Sequence, residues 1–132
     1  MNNEKDYFDI AVGNLKAAQA IMSCADGDEA QFTRAAYYVQ QSLELALKYI
    51  LFENGIDTIK MKTHNLPKLA DIAKANKIEL FLPEYIQERL YIYTDWESKT
   101  RYIAGFFVEQ HQIERSIEEV YKYLEKLPQL LK

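Results

Sequence analysis

The sequence predicts an all-α protein, an up-and-down bundle of four to five helices forming one domain over residues 1–132. Three observations carry this expectation. Gly13, Gly27, Gly55 and Gly105, with Pro67, Pro83 and Pro128, cut the chain into blocks of helix length rather than strand length. Within those blocks apolar residues recur at steps of three and four, the period of one helix face. No window keeps the two-residue alternation of a half-buried strand, and neither a repeat nor a low-complexity segment is visible.

The first helix is expected from about Glu4 to Ser23, with Phe8, Ala11, Leu15, Ala18 and Met22 on one face and the Cys24–Asp28 turn ending it. Gly13 inside it costs roughly 1 kcal/mol relative to Ala, so a neighbouring helix is expected to approach closely there. The second, Asp28 to Asn54, carries one stripe of Phe32, Ala35, Val39, Leu43, Ala46, Leu47 and Ile50 and another of Tyr38, Leu45, Tyr49 and Phe52. Together they cover an arc of roughly 220°, wider than a surface helix needs. Arg34, Gln40, Gln41, Glu44 and Lys48 fill the remainder. Either this helix is the centre of the bundle or its tyrosine-rich edge meets a second copy. Gly55 is its expected stop, because glycine takes the left-handed conformation without a Cβ penalty.

After a linker at Asp57 to Lys62, a third helix begins near Thr63 to Asn65 and runs to about Asn76, with Leu66, Leu69, Ile72 and Ala73 inward, Asn65 as N-cap and Pro67 tolerated in the first turn. A fourth starts at Pro83 and buries Ile86, Leu90 and Tyr93. Thr94 to Gly105 lacks clean periodicity and reads as the tail of that helix followed by a loop. In the last helix Ile113, Ile117, Val120, Leu124 and Leu127 line one face, while Arg115 with Glu119 and Glu118 with Lys122 form i,i+4 pairs on the other.

A length of 132 residues suits one compact core. Sixteen Lys and Arg against 20 Asp and Glu give a net charge of −4, which speaks against coating nucleic acid through the overall field and confines any such contact to a local basic patch. The single cysteine excludes an internal disulfide, and it lies at no metal-ligand spacing from His64 or His111, so no metal and no cofactor is expected. Neither a leader nor a stretch of roughly 20 apolar residues is present, so the expectation is a cytoplasmic protein with no membrane partner.

The run from Ala35 to Leu51 (AAYYVQQSLELALKYIL), then Asn54-Gly55-Ile56, then Lys62-Thr63-His64-Asn65-Leu66, and later Arg101-Tyr102 before the last helix, resembles the HEPN (higher eukaryotes and prokaryotes nucleotide-binding) family, and the likeness extends over nearly the whole chain. The resemblance implies a bundle of four to five helices, commonly a homodimer, in many cases encoded beside a minimal nucleotidyltransferase as a toxin-antitoxin pair. Ribonuclease members of that family place an Arg and a His with four to six residues between them at the dimer interface. Here nine residues, 102 to 110, separate Arg101 from His111, and no Arg stands a few residues ahead of His64. A metal-independent ribonuclease needs the two groups close, one to stabilise charge on the phosphorane and one to move the proton. The expected role is therefore a non-catalytic module that binds a nucleotide, an RNA or a partner protein. The alternatives are a divergent ribonuclease using Arg101 and His111 across a dimer, and a structural subunit regulating a nucleotidyltransferase.

Four groups of residues are candidate sites. Lys60, Lys62, His64 and Lys68 surround the predicted start of the third helix, where unpaired backbone N–H groups favour an anion; the plain alternative is solvated lysines and a His64 that hydrogen-bonds locally to fix the turn. Trp96, Lys99, Arg101 and Tyr102 combine aromatic faces with cations, which suits either a stacked base or an anchor for the last helix, with Arg101 bridging a carboxylate such as Glu44 and Tyr102 packed on the second helix. Tyr37, Gln40, Gln41, Glu44 and Lys48 form a polar strip that must reach water or be hydrogen-bonded, and is expected to line a groove. His111 reads as a surface histidine and Cys24 as a small packing residue.

Overall fold

The computed structural model describes residues 4–102 and 105–131, leaving aside the side chains of residues 4, 5, 101 and 102. The described residues form an all-α bundle: α1 (Glu4–Cys24), α2 (Glu29–Glu53), a 3-10 turn (Thr58–Met61), α3 (Leu66–Ala75), α4 (Glu84–Gln87), α5 (Leu90–Tyr102) and α6 (Gln110–Leu130). No strand occurs among them.

Local chemistry sets the helix ends. The Asp28 side chain accepts from Ala30 N at 2.9 Å and starts α2. At its far end Gly55, at φ 88°, lets Ile56 N donate to Leu51 O and Gly55 N to Phe52 O, both at 3.0 Å, which is the Schellman arrangement. Asn65 caps α3 by accepting from Lys68 N at 3.0 Å, with Pro67 in the first turn. That helix ends in the same Schellman pattern, Ile78 N donating to Ala73 O at 2.8 Å, but here Lys77 occupies the left-handed position at φ 56°.

The tight Ala25–Asp28 turn folds α1 back on α2, and the contacts show the antiparallel register: Tyr7 meets Phe52 edge-on at 5.7 Å, Phe8 meets Tyr49 at 5.1 Å, and buried Ser42 donates to Ala11 O at 2.7 Å. The second stripe of α2 is thus half-buried against α1. The first stripe is fully buried against α3, α5 and α6, so α2 is the central helix of the bundle. Tyr93 of α5 and Ser116 of α6 share a 2.8 Å hydroxyl bond inside the core, and Leu66 N donates to Thr94 Oγ1 at 2.9 Å, tying α3 to α5.

Several expectations are corrected. The fourth helix is two: α4 closes after one turn, Arg89 N bonds Ile86 O, and α5 then runs to Tyr102 as the expected helical tail, with residues 105–109 outside any helix. Its pattern was obscured because Glu97, a charged residue, is buried beside Trp96 on the inward face. Pro128 divides nothing and sits inside α6. Gly13 is exposed, and a Cβ built there meets nothing within 4 Å, so no helix approaches it closely. Cys24 is exposed rather than packed inside, 3.6 Å from Ser23 Oγ. Ile72 is half-buried rather than inside.

Candidate functional site

The polar strip of α2 follows from helix spacing: Gln40, Glu44 and Lys48 stand one turn apart, as do Tyr37, Gln41 and Glu44. Such residues on a helix covered on most sides must be satisfied or wet. They are largely dry. Gln40 is fully buried and Glu44 only 3% exposed, which corrects their placement outside the buried arc.

Glu44 is the hub. Lys48 Nζ donates to its Oε2 at 2.9 Å and Gln40 Nε2 to its Oε1 at 3.0 Å, while His64 Nδ1 lies 3.0 Å from Oε1 and 3.2 Å from Oε2. Gln41 Nε2 donates to Gln40 Oε1 at 2.6 Å, and Gln40 Nε2 also reaches the backbone carbonyl of His64 at 3.4 Å. A carboxylate taken out of water is tolerable only with partners of this kind. The His64 bond is therefore not local: it joins the start of α3 to the middle of α2, twenty residues away in sequence.

The His64 side chain is 63% exposed although its Nδ1 is engaged. Lys62, two residues before it and also exposed, is the centre of an inverse γ-turn, with Thr63 N bonding Met61 O at 2.8 Å and Lys62 at φ −77°, ψ 79°.

The expected anion seat on the α3 backbone is overturned. Leu66 N goes to Thr94 Oγ1, Pro67 has no N–H, Lys68 N goes to the Asn65 side chain and Leu69 N to Asn65 O. With the first turn capped in this way, any anion near His64 must be held by side chains.

Within the second candidate group, Trp96 offers no stacking platform. Trp96 is 2% exposed and meets Tyr93 edge-on at 4.9 Å, so its face is closed to a base. Lys99 pairs with Asp95 at 3.2 Å on the surface of α5. The Arg101 and Tyr102 side chains lie outside the described residues, and with them the suggested Arg101–Glu44 bridge and the Tyr102 packing. His111 is 80% exposed at the start of α6, 3.3 Å from Glu109. Among the described residues no three His, Cys, Asp or Glu side chains gather as a metal site, and no helix is long and apolar enough to cross a membrane.

Sequence reasoning named both His64 and Glu44 but not their pairing. It also missed Tyr85, whose ring lies 3.7 Å from the Arg89 guanidinium and 4.4 Å from that of Arg115, joining α4 to α6. The i,i+4 spacing of Tyr85 and Arg89 was its only sequence signal.

The family model that matches this chain is that of the HEPN domain, over residues 4–130, and the chain belongs to that family. No curated protein and no solved structure matches it.

Proposed function

We propose that this HEPN-family chain is a binding module that holds a phosphate of a nucleotide or of RNA beside His64, without turning it over. The supporting observation is the buried Glu44 carboxylate fastening an exposed His64 ring by one nitrogen. An ionised carboxylate only accepts, so Nδ1 carries the proton. Nε2 is left for a ligand, and once the ring is protonated it becomes a charge-assisted N–H donor to a phosphate oxygen. Lys62, two residues away, brings a second cation, and Lys48 offsets the charge of Glu44. This is the local basic patch that an acidic chain needs in order to meet a polyanion.

Changing Lys62 and His64 together to Ala tests the reading. Binding to a panel of nucleotides and short RNAs is expected to fall at least about tenfold, the loss of one or two charge-assisted bonds; unaltered binding removes the proposal.

The alternative is a divergent ribonuclease. Incubating the protein with total RNA in the presence of chelator separates the two: intact RNA leaves a binding role, and cleavage overturns it. The associated partners are a second copy of the chain and a minimal nucleotidyltransferase. For the second copy, an apolar groove of about 310 Å³ between α1 and α6, floored by Leu15 and Leu124 and walled by Phe8, Val12 and Tyr121, is a surface of the right character.

A further inference from the structure

Resting on the phosphate reading at His64, we infer that Gln41 reads the base of the bound nucleotide and that this base is adenine. The two ends of a side-chain amide are ordinarily hard to tell apart, but here the Glu44 carboxylate settles them. Its oxygens accept and do not donate, so Gln40 must turn its nitrogen toward Oε1, 3.0 Å away. The Gln40 oxygen then faces Gln41, which must donate from Nε2 at 2.6 Å. Flipping either amide sets oxygen against oxygen or nitrogen against nitrogen.

The polarity imposed by one buried charge is thus relayed through two amides to the edge of α2. Gln41 is half-buried there, and its Oε1 and the second N–H of Nε2 are the groups the relay does not consume. A donor and an acceptor side by side on a glutamine match the N6 amine and N7 of adenine. Hypoxanthine places an oxygen where adenine has the amine, so the Gln41 carbonyl loses its donor and faces a second acceptor.

Hydrogen bonds of 2.6, 3.0 and 3.0 Å link Gln41 through Gln40 and Glu44 to His64, so the base reader and the phosphate holder share one network. Tyr37, one turn before Gln41 on α2, stands edge-on to Tyr38 with ring centroids 5.6 Å apart.

Calorimetric titration of the full chain with AMP, IMP and ribose 5-phosphate tests this. AMP is expected to bind about tenfold tighter than IMP, the difference made by one good base contact. Gln41→Leu is expected to bring AMP down to the affinity of IMP. Equal affinities for AMP and IMP in the unaltered protein, or a preference that survives in Q41L, overturn the base assignment while the phosphate reading stands. Failure of all three compounds to bind overturns the phosphate site itself. The comparison of AMP with IMP needs no variant, so it decides the matter even where Q41L does not fold.

Discussion

His64 Nδ1 sits 3.0 Å and 3.2 Å from the two carboxylate oxygens of Glu44, which fixes the ring against the central helix by a group only 3% exposed. Two consequences can be measured. Glu44→Ala leaves the Lys48 ammonium without its acceptor and the Gln40 amide with only the longer bond to His64 O, and is expected to cost about 3 kcal/mol in denaturant unfolding. In the neutral ring the proton is expected to leave Nδ1 for Nε2. Ring-nitrogen NMR shifts of His64 that are the same in both proteins contradict the pairing.

Trp96 is the single tryptophan of the chain and is enclosed in the core. Its fluorescence is therefore expected to be blue-shifted and poorly quenched by iodide, and to stay so when nucleotides are added. Trp96→Ala is expected to cost about 3–5 kcal/mol, the range for removing a large buried aromatic. An emission maximum typical of water-exposed indole contradicts both statements.

Two backbone positions can be improved. Gly13 lies in α1 with open space where a Cβ would go, so Gly13→Ala is expected to stabilise by about 1 kcal/mol. Lys77 holds φ 56° after α3, a conformation that suits glycine, so Lys77→Gly is expected to gain about 1 kcal/mol as well. Thermal unfolding reads each as a rise in Tm of several degrees; a fall in either refutes that assignment.

Alkali should unfold the protein by ionising core tyrosines. Burial pushes the Tyr93 hydroxyl up to about 12 from 10.0, although its bond to Ser116 pulls the other way. Burial raises Tyr123 too, whose hydroxyl donates to Leu80 O. Because the folded value lies above the unfolded one, the stability from keeping Tyr93 neutral is fully present below pH 10 and is lost as pH rises through 12. Two units correspond to about 3 kcal/mol. Unfolding measured between pH 9 and 12 is expected to show this loss and Tyr93→Phe to reduce it; a flat profile over that range contradicts it.

Much of this architecture was legible along the chain because its causes are local. Asn65 caps the helix it precedes, Gly55 ends α2, and the paired charges Arg115–Glu119 and Glu118–Lys122 lie one turn apart on α6 at 3.1 and 3.2 Å. The greasy girth of α2 correctly implied a central helix. Periodicity failed at α5, where a buried Glu97 next to Trp96 makes an inward face look outward, and at Cys24, where a small apolar residue at a helix end is simply exposed. The candidate site was half legible: His64 and Glu44 stand out by residue type, whereas one of the occupied amides at the start of α3, Leu66 N, depends on Thr94, far along the chain.

By itself the sequence determined where helices form and which of them is wrapped, since turn-to-turn spacing, caps and glycine conformations act over a few residues. Only the tertiary structure decided which polar groups on α2 stay dry and what they hold. A carboxylate removed from water must find its donors wherever packing brings them, and Glu44 found one in a histidine that precedes another helix.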